Sequence, residues 1–223
     1  MHDAVKIFGM ALKIAPLFLN RTTIAPLQPP QTTLTDKDLA LIELKRKDGA
    51  VIVVLGTRDT GKTEMCYRIA EFIGKPTCAV SPEQKPHPKW IQRIRIEELD
   101  EVRPGSTILL DDLPAYMSNR DYNDALIKTL ERIIPMVRHE RKWHLIFSSQ
   151  SSAQADKYIL DCDAAFLKPL GLLMGAVERP NIARIYKTKV DPFFAGKNSD
   201  WIHKHAYMLT RSFSGIIEIS MVE

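Results

Sequence analysis

Eight consecutive residues, Gly56-Thr57-Arg58-Asp59-Thr60-Gly61-Lys62-Thr63, set glycine, lysine and hydroxyl at the spacing of a phosphate-binding loop. In such a loop the backbone N–H groups and the positive end of a following helix converge on one point, where polyphosphate charge can sit. Lys62 is placed to reach β- and γ-phosphates, and the Thr63 hydroxyl to ligate Mg²⁺. Further on, Thr107-Ile108-Leu109-Leu110-Asp111-Asp112 is an apolar strand ending in two acids. Carboxylates at the C-terminal end of a buried strand lie where open α/β sheets bind ligands. Asp111 is the candidate for the Mg²⁺ shell, and Asp112 for taking a proton from an attacking water. A third stretch, Ser148-Ser149-Gln150, closes the apolar run His144 to Phe147. Polar side chains at the end of a buried strand need hydrogen-bond partners, and a γ-phosphate or lytic water would supply them.

These groups work only if the chain delivers them to one edge of one sheet. Val51 to Leu55 is short, unbroken and rich in β-branched residues, as a parallel strand buried on both faces must be. After the loop, Met65, Cys66, Ile69, Phe72 and Ile73 fall at helical spacing, and Gly74 with Pro76 ends the helix. Thr35 caps a helix over Asp36 to Lys47, with acids at its start and bases at its end. Strands are expected at Pro76 to Val80 and Ala164 to Leu167, and a short turn of helix at Ile96 to Val102. Asp121 and Asp124 cap a helix carrying Leu126, Ile127, Leu130, Ile133 and Ile134, which Pro135 must kink or end. Helices are also expected at Ala153 to Leu160 and Pro180 to Lys189. The C-terminus reads as a hairpin: Ala206 to Thr210, a turn through Ser212 to Gly215, then Ile216, Ile217 and Ile219. The fold class is α/β, a mostly parallel sheet flanked by helices with a C-terminal β-hairpin.

At 223 residues, 45% of them hydrophobic, the chain suffices for one well-buried domain with a short appendage. Residues 1–34 form that appendage, a helix over 4–15 stopped by Pro16 and then an arm with Pro26, Pro29 and Pro30; residues 35–223 form the domain. The N-terminal helix could dock on a neighbouring subunit, lie on a membrane surface or pack on its own domain. The apolar stretch Ala4 to Leu19 is too short and too charged to span a bilayer and lacks a signal-peptide cleavage site. A net charge of +4 permits a polyanionic partner without demanding one. Lys85, His87, Lys89, Arg93 and Arg95 surround Trp90, a cluster open either to nucleic acid or simply to solvent. Cys66, Cys78 and Cys162 are widely separated and sit in apolar or helical contexts rather than in C-x-x-C pairs, so neither a zinc site nor a disulfide framework is indicated. His203 and His205 read as a solvated pair on one strand.

With these residues in place, the chain resembles the FtsK–HerA group of P-loop ATPases (ASCE/RecA-like), and within it the small genome-packaging ATPases of membrane-containing viruses. The likeness spans residues 48 to 220. Gly56 to Thr63 resembles the Walker A loop and Ile108 to Asp112 the Walker B strand. Val137-Arg138-His139-Glu140-Arg141 before an apolar strand is similar to the arginine-bearing segment, and Gln150 matches the glutamine ending that strand. One departure stands out: the group commonly has Glu where this chain has Asp112, one methylene shorter. The resemblance implies ATP and Mg²⁺ as cofactors, Lys62, Asp112 and Gln150 as catalytic groups, and Arg138 or Arg141 reaching the ATP of an adjacent subunit. Such an arginine is worth about 10³ to 10⁵ in turnover. It further implies a homo-oligomeric ring of five or six copies around double-stranded DNA, capsid-vertex or viral membrane proteins as possible partners, and a place in the infected cell's cytoplasm or the virion.

Two other readings fit the motifs. One is an assembly or extrusion ATPase acting at a membrane, like the zonula-occludens-toxin-type proteins of filamentous phages. The other is a small-molecule kinase, which would need an acceptor pocket and a basic lid that the sequence does not display.

Overall fold

The computed structural model describes residues 35–81, 86–111, 128, 132–150, 162–171 and 180–219. Residues 1–34 with their expected helix and arm, Lys85, Asp112, the helix start at Asp121 and Asp124, and the helix expected at Ala153 to Leu160 lie outside these. Eight strands form one sheet: β1 (Ala50–Leu55), β2 (Thr77–Val80), β3 (Ile91–Arg93), β4 (Thr107–Leu110), β5 (His144–Ser149), β6 (Ala164–Leu167), β7 (His205–Leu209) and β8 (Ser214–Glu218). Their order is β3-β2-β4-β5-β1-β6-β7-β8. Pairing is parallel from β3 through β6 and antiparallel for β6–β7 and β7–β8.

Alternation along β1 divides the core between the two faces. Val51, Val53 and Leu55 face one hydrophobic cluster; Ala50, Ile52 and Val54 face the other. The second is covered by α1 (Asp36–Arg46), through Ala40, Leu41 and Leu44, and by α2 (Lys62–Ile73), through Met65, Cys66, Ile69 and Ile73. The first is covered by the 3₁₀ turn Ile96–Glu101, by helix α3 over residues 132–139 through Ile133 and Val137, and by the helical run from Pro180. Thr35 caps α1 as expected, its hydroxyl taking the Asp38 N–H while the Asp38 carboxylate takes the Thr35 N–H.

The chain departs from its local signals at several points. Pro135 does not end its helix, which continues to His139. The helix from Pro180 does not stop at Lys189: α4 (Pro180–Ile185) runs into a π-helical segment, Tyr186–Val190, and α5 (Asp191–Phe194). Pro192 lies in the first turn of that last piece, where a missing N–H costs nothing. The basic cluster around Trp90 contains an edge strand, β3, because Ile91 inserts into the core while Gln92 and Arg93 face outward. His203 and His205 do not share a strand. Asn198 caps a short helix, α6 (Ser199–Lys204), which holds His203, and β7 begins at His205. Strand β5 also runs two residues further than Phe147, because Ser148 and Ser149 pair with Val54 and Leu55. Among the described residues no helix is long and apolar enough to cross a membrane.

Candidate nucleotide site

The parallel sheet brings the C-terminal ends of β1, β4 and β5 to one edge, and that edge carries the chemistry. Strand β5 lies between β1 and β4, so Gln150 emerges beside Gly56, whose N–H donates to the Ser149 carbonyl at 3.3 Å. Gly61 takes a left-handed φ of 77° and is the N-cap of α2, with no side chain capping the helix. No side chain caps the first turn of this 12-residue helix, a kind of helix start at which backbone amides can meet an anionic ligand. Lys62 Nζ donates to the Thr57 carbonyl at 2.7 Å, and Thr60 Oγ1 donates to the same oxygen at 2.8 Å. Arg58 and Asp59 form the turn at the tip, where Asp59 also has positive φ, at 58°.

Asp111 is buried directly after β4 and is the hub of the polar cluster. Thr63 Oγ1 lies 3.2 Å from each of its carboxylate oxygens, and Ser148 Oγ donates to Oδ1 at 2.8 Å. A hydroxyl, a carboxylate and a second hydroxyl make an all-oxygen set, which suits a hard cation such as Mg²⁺ held by one carboxylate and phosphate oxygens. The uncapped glycine helix start and Lys62 suit a triphosphate in the same way. Among the described residues there is no group of three or more His, Cys, Asp or Glu placed to hold a metal ion.

Beside Asp111 runs a second chain of polar contacts. Tyr67 on α2 meets His87 Nδ1 at 2.8 Å, and His87 Nε2 is hydrogen-bonded to Ser81 Oγ at the end of β2. Burial first, and the Asp111 charge second, push the Tyr67 phenol up to about 12, which keeps it a neutral hydroxyl at the site's flank.

Arg138 and Arg141 lie elsewhere. Arg138 Nη2 donates at 3.0 Å to Asp163 Oδ2, which also accepts the Val51 N–H at 2.8 Å, while Lys47 Nζ holds Oδ1 at 2.7 Å. Burial alone would raise the Asp163 carboxyl, but the bonds from Lys47 and Val51 outweigh it and hold the group below the usual carboxylate range. Val51 belongs to the entry end of β1, roughly 17 Å along the strand from the phosphate loop. Arg141 donates to the Asp100 carbonyl at 3.2 Å and stacks over Trp143, near the entry end of β4. The sheet thus gathers Lys62, Thr63, Asp111 and Gln150 and sets both arginines at the opposite end. Asp112 follows Asp111 outside the described residues.

Three contributors escaped sequence reading. Ser148, expected beside Gln150 to face a ligand, donates to Asp111. Lys168, directly after β6, is completely buried, and burial pushes its ammonium down to about 7. His203 reaches the loop tip, its Nε2 being 2.9 Å from the Asp59 carbonyl oxygen. The one available signal was Lys168 itself, a lone lysine at the end of an apolar strand.

No family model and no curated protein matches the sequence. Solved structures do resemble the fold. The cytoplasmic domain of the Thermomonospora curvata type VII secretion ATPase EccC matches 78% of this chain at 12% identity and a TM-score of 0.51. The cytoplasmic domain of EssC matches 78% at 12% identity with a TM-score of 0.46, and a structure described as an ATPase matches 79% at 11% with 0.45. This chain spans 38% of the EssC chain and 24% of the EccC chain. At that identity the EccC likeness is one of fold alone, a mostly parallel sheet flanked by helices.

Proposed function

We propose that this chain is an ATP hydrolase that translocates duplex DNA to package a viral genome, working as a ring of five or six copies. The observation that carries the reading is the Thr63–Asp111–Ser148 oxygen cluster beside Lys62 at an uncapped helix start. Mg²⁺ bound with the triphosphate would supply charge neutralisation of the β- and γ-oxygens. Thr63 and Asp111 would hold the cation through their own oxygens, and Ser148, donating to Asp111 Oδ1, fixes the carboxylate's orientation. Lys62, which donates to the Thr57 carbonyl, would turn to meet the phosphates. Gln150, between loop and acid, orients the attacking water, and Asp112 is the candidate to take its proton.

Arg138 and Arg141 lie at the opposite end of the sheet from their own loop, so a role at a triphosphate would have to be at a neighbouring copy's site, the seam that the FtsK–HerA resemblance implies. DNA as the moved polymer, and the capsid as its destination, rest on that resemblance and on the positive net charge. The test is ATP turnover of the whole chain with and without duplex DNA. DNA-stimulated turnover lost in Lys62→Ala supports the reading. Turnover indifferent to DNA removes the packaging assignment.

A further inference from the structure

Behind the phosphate loop, β6 does not simply end. The Lys168 N–H donates to the Leu55 carbonyl at 2.7 Å, and the Pro169 carbonyl accepts the Thr57 N–H at 3.0 Å, so this segment escorts the chain into the loop. Between these bonds sits Gly56, where an added Cβ would lie 2.5 Å from the Lys168 Cβ. The Lys168 side chain then turns away from solvent, and its Nζ donates to the carbonyls of Ile202 at 2.7 Å and His203 at 2.9 Å. These are last-turn carbonyls of α6, acceptors that the helix cannot satisfy itself and that favour a cation.

From that helix end the contact returns to the loop. His203 Nε2–H donates to the Asp59 carbonyl, and the His203 backbone abuts Gly61, its Cα 3.0 Å from where a Cβ on Gly61 would stand. Asp59 and Gly61 are two of the loop's three positive-φ residues, Gly56 being the third. An aspartate in that region is uncommon and needs its surroundings to hold it there. A lysine is a costly group to bury merely to fill space. Here it ties the helix that pins those two residues to the strand that brings in Gly56.

We propose that Lys168 and His203 are positioning residues of the nucleotide site, which lock α6 onto the phosphate loop and hold the loop in its ligand-ready shape. This rests on reading the loop as a triphosphate site. Because α6 leads directly into β7, the latch also joins that site to the C-terminal hairpin.

The test uses the full chain with Lys168→Met, Lys168→Arg, His203→Ala and the Met/Ala double variant. Two quantities are read: amide hydrogen exchange over Thr57 to Lys62 without ligand, and affinity for a fluorescent ATP analogue with Mg²⁺. The expected result is faster exchange confined to the loop and affinity weakened about tenfold, the size of one lost hydrogen bond. The double variant should be no worse than the poorer single, since both act through one path. In turnover, KM should rise more than kcat falls, and Lys168→Arg should recover part of the loss. If Lys168→Met fails to fold, His203→Ala, a partly exposed side chain, decides the matter alone. Unchanged loop exchange in His203→Ala, or fully additive losses, overturns the proposal. A wild-type chain that binds no nucleotide overturns the triphosphate reading instead, and loop exchange still decides the latch.

Discussion

The Thr63 hydroxyl stands equidistant, at 3.2 Å, from both oxygens of the Asp111 carboxylate. One residue comes from the start of α2 and the other from the end of β4, 48 positions apart. Two long-range elements thus agree on one point, and Asp111, buried against Ser148, has little freedom to leave it.

Removing that carboxylate's charge should uncouple cation from nucleotide. Asp111→Asn keeps the shape and one acceptor, so nucleotide binding without Mg²⁺ should change little while the enhancement by Mg²⁺ largely disappears. A loss of about 1.5–3 kcal/mol is expected for a charged hydrogen-bonding group, roughly ten- to hundredfold in affinity. Titration of a fluorescent ATP analogue with and without Mg²⁺ checks this, and an intact Mg²⁺ enhancement would count against Asp111 as ligand.

Arg138 and Arg141 lie at the entry ends of strands whose exit ends hold the site, which sets up a complementation experiment. Arg138→Ala and Lys62→Ala should each be inactive alone, the arginine variant down by about 10³ in turnover with nucleotide affinity retained. Mixed together, some seams would pair an intact lysine with an intact arginine, and activity should return in part. Mixtures as idle as the single variants would exclude Arg138, and the same test with Arg141→Ala would follow.

Lys168 predicts a pH signature in stability. Its ammonium is pushed down to about 7 in the folded chain against 10.5 when exposed. Between those values the unfolded chain binds more protons, so stability rises with pH, by up to ~1.4 kcal/mol per unit. Below about 7 the cost is fully present. Denaturant midpoints of the wild type should climb from pH 7 towards 10 relative to Lys168→Met, in which that climb is absent.

His144 works in a lower window. It is completely buried, with Nε2 3.0 Å from the Leu44 carbonyl oxygen and Nδ1 3.2 Å from Lys75 Nζ, and burial holds its pKa below the usual 6.5. The neutral ring with its proton on Nε2 satisfies both partners. Its stabilising contribution is complete above about pH 6.5 and is lost as pH falls below that, because the unfolded chain then takes up the proton first. His144→Gln, which keeps a donor and an acceptor but does not titrate, should flatten that part of the unfolding profile.

Gly56 is a steric test of the loop's back wall. Gly56→Ala puts a methyl 2.5 Å from the Lys168 Cβ, and overpacking of this kind costs about 1–3 kcal/mol. Chemical denaturation should show that loss, together with weakened nucleotide affinity, whereas an unchanged midpoint would mean that β6 moves aside freely.

The sequence alone determined what depends on neighbours along the chain. The glycine, lysine and threonine spacing of 56–63, the β-branched run before it and the helical period after it are local, so strand, loop and helix were legible, as were the acid-ended strand at Asp111 and the cap at Thr35. Tertiary structure decided what depends on chain segments meeting. The ladder pairing of Ser148 and Ser149 with Val54 and Leu55 prolongs β5 past its last apolar residue, and Ile91's insertion into the core makes an edge strand of a stretch whose charges read as loop. The ends of the sheet on which Arg138 and Gln150 fall follow from strand direction, which no local pattern encodes. The latch from Lys168 through α6 to Asp59 joins residues 109 positions apart, and its lysine looks misplaced until the two carbonyls it satisfies are seen. Local periodicity reports which face of an element is buried; it holds no information about which polar groups another segment will bring to that face.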